Sequence, residues 1–391
     1  MAPDEITGTQ MWTRGVAASS VLIAIFAPLV GTIADRSASR RRYFVGLTLV
    51  TIVLTVALAF IGPPYAILAL AVFIIANTAY ELAQVFYNSF LPALSTDKNV
   101  GMVSGAAWGL GYVGGLLCLA AGFLFTGIPG VEWKLPLSTE GGWNIRATNL
   151  LVAGWYLLFA LPSMFLLREP APPDPRASWN PLPAARQLLA FPQALRLLVA
   201  RLIYNDGLVA AFSFGGIYAG VTFGFDFGQI ILFGIWLNAA AGIGAFLFGK
   251  LDDIIGGKRT IQLSLIGLVG AAIGAGMAPD AAGLWIAGTA LGLLVGPNQS
   301  ASRSLMARFI PAEKTGEFFG LFALSGKLTA FLGPLVLGEV TGLTGSQRWG
   351  VGAVSIFFLI GLVLLYFVDE RRGIDDVERF RTNKREESTF S

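Results

Sequence analysis

The chain has no histidine, one cysteine and few charges: lysine, arginine, aspartate and glutamate together make up 13% of its 391 residues. The missing histidines exclude imidazole metal ligands, serine–histidine hydrolysis and histidine proton relays. A lone Cys118 can form neither a disulfide within the chain nor a thiolate metal site. Scarce charge is the most restrictive of these absences, because an ordinary soluble domain carries about 25% charged residues. The net charge of +3 is scattered over short segments with no basic stripe or arm, which argues against nucleic acid as a partner. The start of the chain is polar and holds Asp4 and Glu5, so it is not the basic region of a signal peptide.

What is present is apolar. Hydrophobic residues reach 55%, glycine numbers 48 and the mean hydropathy is +0.68, values that mark an integral membrane protein. Eleven runs are long enough to cross a hydrocarbon core of about 30 Å as helices. They cover 15–34, 43–62, 65–91, 100–126, 148–167, 196–219, 228–248, 260–278, 282–302, 317–342 and 349–368. If the segment after Gly31 faces the cytoplasm, the alternate loops and the tail hold 21 lysines and arginines against 4 on the other side. Positive charge is retained on the cytoplasmic side, so the C-terminus is expected there and Met1 outside. Residues 168–195 carry seven prolines and cannot continue a helix, which predicts a cytoplasmic linker between an N-terminal half, 1–167, and a C-terminal half, 196–368. Within the linker, Ala184 to Phe191 reads as a short surface helix with Trp179 at headgroup level. The tail, 369–391, mixes charges and reads as disordered.

Two stretches 218 residues apart match each other. Gly31 and Asp35 are followed by Arg36, Arg40, Arg41 and Arg42; Gly249 and Asp253 are followed by Lys258 and Arg259. Used as a ruler, this offset lays four helices of the second half onto four of the first, as inverted or parallel repeats do in many transporters. Run 196–219 maps onto positions before Met1. The expected architecture is therefore twelve helices in two pseudo-symmetric bundles, of which this chain holds eleven and lacks the first.

A glycine, an aspartate four residues on and a basic cluster, found twice, resemble the signature loop of the major facilitator superfamily. The resemblance implies that Asp35 and Asp253 cap or pair across helix ends on the cytoplasmic side, and that Arg36, Arg40, Lys258 and Arg259 hold the gate with Gly31 and Gly249. More specific stretches are similar to the autophagy-related vacuolar effluxer family and its bacterial relatives. These are Tyr87–Pro92, Gly109–Gly115, Tyr204–Gly207, and Ser302 through Pro311 to Glu317–Gly320 and Gly326-Lys327. That resemblance implies a secondary transporter, with amino-acid efflux as the activity attached to the fungal members. For this chain it implies a bacterial inner (plasma) membrane location.

The residues themselves offer candidate contacts for a solute. Asn77, Glu81, Gln84 and Asn88 recur at steps of four, three and four, which puts them on one face of the run 65–91 with Tyr80 and Tyr87 on its flank. A carboxylate at mid-bilayer costs roughly 2.5–3.5 kcal/mol on insertion scales, so Glu81 marks either a pathway or a buried structural pair. Arg201, Tyr204 and Asn205 share a face of run 196–219, while Asp206 points elsewhere and is expected to tie to another helix, with Lys327 as its partner. Gly296-Pro297-Asn298-Gln299-Ser300 interrupts run 282–302, either as a substrate contact through Asn298 and a freed carbonyl or as a kink alone. Glycine pairs 105/109 and 111/115 are expected to let helices approach closely.

These features predict an all-α membrane protein that moves a small polar solute by alternating access. Substrate contacts fall to Asn77, Glu81, Gln84, Asn88, Tyr204, Asn205 and Asn298, and Glu81 and Asp206 are the candidate proton carriers. The expected partners are the lipid bilayer, a small-molecule substrate and protons, with the chain a monomer. No metal or other cofactor is called for. A membrane enzyme acting on lipids would need clustered carboxylates, histidine or cysteine at a membrane face, and the sequence has none. A non-transporting sensor built on a transporter scaffold is the remaining alternative, separable by ligand binding without counterflow.

Overall fold

A computed structural model of the chain describes residues 5–127, 135–169 and 188–389. Among these the secondary structure is helical. The first half contains α1 (Glu5–Ser37), α2 (Arg40–Phe60), α3 (Ala66–Ser89), α4 (Val100–Thr126) and α5 (Thr148–Leu166). The second contains α6 (Pro192–Phe223), α7 (Phe227–Ile255), α8 (Gly257–Met277), α9 (Ala281–Arg308), α10 (Thr315–Ser325), α11 (Leu332–Thr344), α12 (Gln347–Tyr366) and α13 (Glu370–Thr389). Ten are long and apolar enough to cross a membrane, all except α10, α11 and α13. Large apolar side chains such as Phe165, Val221 and Ile286 are more than 70% exposed, as expected of helix faces turned toward lipid rather than water.

The structure departs from the sequence reading in several places. Run 317–342 is not one helix: it divides into α10 and α11 around a non-helical stretch, 326–331. Breaking a helix at membrane depth strands backbone groups unless other parts of the protein satisfy them. Here α6 satisfies one of them, because Asn205 donates to the Gly326 carbonyl at 3.0 Å, and the Thr329 hydroxyl, 3.2 Å from the Leu202 carbonyl, ties the break to α6. α11 restarts with Pro334 in its first turn, where the missing N–H has no helical acceptor to lose. The tail is also not disordered. α13 presents Gly373, Val377 and Phe380 along one side: Val377 is buried, the Phe380 ring lies tilted against Phe191 with centroids 5.6 Å apart and Gly373 lies against Phe309. This stripe at helical spacing gives a charged helix a docking face. α1 begins ten residues before the predicted run, so the polar residues 5–14 are helix as well. Of the short helix predicted for 184–191, residues 184–187 and Trp179 lie outside the described residues, and Leu188–Ala190 forms a single 3-10 turn.

Contacts sort the chain into two compact units. Unit 1 comprises Met1–Phe90, Gly114–Pro181 and Gly316–Leu324; unit 2 comprises Leu91–Val113, Leu182–Thr315 and Ser325–Ser391. Each thus includes a segment from the opposite half of the chain, and shifting Gly316–Leu324 back by the repeat offset lands it inside Leu91–Val113. Unit 1 has a core of Phe44, Ile52, Ala83, Phe86, Ala153 and Met164, contributed by α2, α3 and α5. In unit 2, Gly288, Gly292 and Gly296 lay one face of α9 directly on α7, and a Cβ at Gly296 would stand 2.0 Å from the Ala241 carbonyl. Pro297 lies within the unbroken α9. Proline deprives the carbonyl four residues earlier of its donor, and that carbonyl, on Leu293, is packed against Gly244 of α7 rather than opened to a cavity. Gly105 and Gly109 make the close approach expected of them, with Cβ positions 2.3 Å and 3.1 Å from α7 carbonyls, whereas Gly111 and Gly115 have no such neighbour within 4 Å.

Candidate functional site

The two signature loops build similar networks, one in each unit. In unit 1, Asp35 sits in the last turn of α1, buried, and its carboxylate accepts from Arg40 Nε at 2.7 Å and from the backbone N–H groups of Gly316 and Glu317 at 2.9 and 2.8 Å. These N–H groups lie in the first turn of α10, where helical acceptors are lacking and the helix dipole favours an anion. In unit 2, Asp253 accepts from the N–H groups of Gly101 and Met102 in the first turn of α4, at 2.7 and 2.8 Å. Gly31 and Gly249 permit the approach: a Cβ at Gly31 would stand 2.2 Å from the Gly316 carbonyl, and one at Gly249 would stand 3.0 Å from the Gly101 carbonyl.

Basic residues complete both networks, though not all of those the sequence singled out. Arg40 is buried between Asp35 and Glu169, whose carboxylate also accepts the Arg41 N–H at 3.2 Å. In unit 2 the corresponding cation is Arg308 of α9, not Lys258 or Arg259. It bridges Asp252 at 2.7 Å, Asp253 at 3.3 Å and Glu370 at 3.4 Å, while Ser304 donates to the other Asp252 oxygen. Glu370 in turn accepts the Gly257 and Lys258 N–H groups at the start of α8, at 3.0 and 2.9 Å. Lys258 reaches the Tyr366 carbonyl, and Arg259 is exposed. Arg36, after Asp35, is half-buried. Glu169 and Glu370, each just beyond the last membrane helix of its half, therefore play matching parts. Sequence reading missed them because the 218-residue offset does not align them, the polar insert near residues 131–146 having shifted the register.

The polar faces of the membrane helices lie further in. On α3 of unit 1, Glu81, Gln84 and Asn88 are half-buried, and Gln84 bonds Tyr80, whose ring meets Tyr156 edge-on at 5.8 Å. Asn77 is engaged differently: its amide donates to Ser19 at 2.7 Å and so ties α3 to α1. In unit 2, Arg201 donates to Ser325 at 2.8 Å, Asn205 bonds Gly326, and Gln299 donates to Asn205 at 3.3 Å. These contacts converge on the 326–331 break. Tyr204 points elsewhere, sharing a 2.7 Å hydrogen bond with Ser302 in a fully buried setting. Asn298 is also fully buried and donates to Ser264 at 3.0 Å, joining α9 to α8. Gln299 thus takes the position that the sequence reading gave to Asn298. Asp206 does not pair with Lys327; its carboxylate accepts from the Thr329 hydroxyl at 3.2 Å. Among the described residues no cluster of His, Cys, Asp and Glu is arranged to hold a metal ion.

Comparison with known proteins identifies the family and the fold. The family described as vacuole effluxer Atg22 like matches residues 5–101 and 96–378. An uncharacterized MFS-type transporter of Bacillus subtilis, YxiO, is 25% identical over 368 residues, covering 92% of this chain and 85% of that protein. Autophagy-related protein 22 of Cryptococcus neoformans is 26% identical over 298 residues, or 68% of this chain; the match spans 54% of the fungal protein, about half its length. Among solved structures, the transporter FucP in its outward conformation superposes with a TM-score of 0.75 at 14% identity, covering 93% of this chain and 90% of that one. The human organic anion transporter MFSD10 gives 0.70 at 19% identity, covering 90% and 83%. Likeness at these identities establishes the fold, which is that of the major facilitator superfamily.

Proposed function

Because the chain belongs to the vacuole effluxer Atg22-like family of membrane transporters, we propose that it is a secondary active transporter of a small polar solute, of the amino-acid class, working by alternating access. Its main support is the break at 326–331, where α10 and α11 leave helical geometry midway along a predicted membrane span and are held by Asn205, Arg201 and Thr329. Irregular backbone at membrane depth occurs where it is enclosed by protein or lines a polar path. The substrate-handling residues form two sets, Glu81, Gln84 and Asn88 in unit 1 and Arg201, Asn205 and Gln299 in unit 2. In unit 2 the Arg201 guanidinium and two amides suit a carboxylate group, and in unit 1 the Glu81 carboxylate and two amides suit an ammonium group. The networks around Asp35 and Asp253 act as gates on the cytoplasmic side, and the C-terminus lies in the cytoplasm of a bacterial cell, consistent with the 21-to-4 distribution of basic residues.

Thermal stabilisation of the purified protein by a panel of amino acids, followed by counterflow of each hit in proteoliposomes, tests this reading. Binding without counterflow would support a sensor instead. Glu81 is the first proposed proton carrier and Asp206 the second. Glu81→Gln is expected to abolish the pH dependence of uptake while leaving the melting midpoint near its original value, and unaltered pH dependence would exclude Glu81 from that role.

A further inference from the structure

Asp206 lies in the middle of α6, a 32-residue helix, and is 1% exposed. One carboxylate oxygen contacts the Thr329 hydroxyl at 3.2 Å, and the other is buried with no hydrogen-bond partner. The same hydroxyl is 3.2 Å from the Leu202 carbonyl. A hydroxyl has one hydrogen to donate, so Thr329 can satisfy either Leu202 or Asp206 but not both. With the carboxylate ionised, three oxygens share one hydrogen, and at least one acceptor is left without a full hydrogen bond. Both distances also exceed the 2.7–2.8 Å or so of a usual O–H···O bond.

Charged groups on the elements packed around α6 do not relieve this. They include Arg201 on α6, Arg303 on α9, Lys327 in the break and Glu339 on α11, and among the described residues no arginine or lysine nitrogen lies within 4.0 Å of the Asp206 carboxylate. Arg201, five residues earlier on α6, points about 140° away at the helical repeat and is bonded to Ser325. An ionised carboxylate at mid-bilayer with no counter-charge is costly.

The geometry points to a sodium-ion site formed by the Asp206 carboxylate, the Thr329 hydroxyl and the Leu202 carbonyl, where the broken helix meets α6. Hard cations of similar size bind oxygen at about 2.3–2.6 Å, which places neighbouring ligand oxygens about 3.2–3.7 Å apart in octahedral geometry. The Thr329 hydroxyl already stands at that spacing, 3.2 Å, from each of the other two oxygens. A single carboxylate balances one positive charge, which selects a monovalent ion. Thr329 belongs to the segment that Asn205 and Arg201 hold, so an ion here is linked to the proposed substrate contacts in unit 2. The assignment rests on the transporter reading and puts sodium in place of the proton at Asp206 as the coupling ion, while the binding site itself can be tested separately.

The test uses the full-length purified chain. Its melting midpoint is measured in sodium, potassium and choline chloride at constant ionic strength and several pH values. A saturable rise in sodium alone is expected, about 1–2 °C for a tenfold excess over half-saturation. Asp206→Asn should abolish that rise without lowering the midpoint in choline; Thr329→Val should abolish it from a lower starting midpoint, and Thr329→Ser should retain it. Equal midpoints in all three salts, or stabilisation set by pH alone with Asp206→Asn mimicking the low-pH form, would overturn the proposal in favour of no ion or a proton. Counterflow of a solute unaffected by replacing sodium would overturn the coupling role and leave the transporter reading intact. Sodium stabilisation lost in Asp206→Asn, with no solute moved under any condition, would uphold the site and refute transport.

Discussion

Gly31→Ala should open the unit 1 network at a single point. The added Cβ would lie 2.2 Å from the Gly316 carbonyl oxygen and 2.7 Å from its carbon, both backbone atoms that cannot rotate away. Ordinary contact begins at 3.4 Å, so the start of α10 must retreat by about 1.2 Å. A shift of that size takes the Gly316 N–H, now 2.9 Å from Asp35, beyond hydrogen-bonding range, and strains the Glu317 contact at 2.8 Å. Overpacking costs about 1–3 kcal/mol, and each lost hydrogen bond to a charged carboxylate adds about 1.5–3 kcal/mol. Gly249→Ala is the internal control, because its Cβ would meet the Gly101 carbonyl at 3.0 Å and needs only a few tenths of an ångström. Hydrogen–deuterium exchange of a peptide covering residues 312–322, read by mass spectrometry, should show faster exchange in Gly31→Ala, while the peptide covering 98–106 changes little in Gly249→Ala. Unchanged exchange at Gly316 and Glu317, or a larger effect from Gly249→Ala, would refute the close-approach argument.

Arg308→Ala should destabilise the protein by about 3–5 kcal/mol, because it leaves the buried Asp252 carboxylate facing Asp253 and Glu370 without a cation; thermal melts in detergent measure this. Truncation before Glu370 should lower the melting midpoint by more than Glu370→Gln does, since it also uncovers the surface against which Val377 and Phe380 pack. Tyr204→Phe leaves Ser302 its bond to the Asn298 carbonyl and should cost about 1 kcal/mol with no change in solute affinity.

The signature loops were legible because a glycine, an aspartate and a basic cluster are local, and their repetition at one offset made each a check on the other. The membrane helices were legible because apolar length is sufficient to declare them. The break at 326–331 was not, because nothing in Gly326 to Phe331 forbids a helix in the way an internal proline does. What stabilises it is Asn205 and Thr329, supplied from or directed at α6 more than a hundred residues away. Conversely Pro297 advertises a break that the structure does not use, since Gly244 lets α7 close over the freed carbonyl. Arg308 looked like one more basic loop residue; its role depends on where α9 ends relative to α7, which composition does not encode. The tail was misread because charge dominates its average and hides a three-residue apolar stripe.

The exchange of segments between the halves of the chain sets an order of events during synthesis. When Asp253 leaves the ribosome, Gly101 and Met102 have long been made, and its partners are waiting. Asp35 is in the opposite position: the amides it caps lie 281 and 282 residues downstream. At about 5–20 residues per second that delay is roughly 14–56 s. Throughout it, the nearby cation for this carboxylate is Arg40, five residues away in sequence. Besides its place in the finished network, Arg40 is thus a chaperone for Asp35, holding a charge that the rest of its site arrives late to receive.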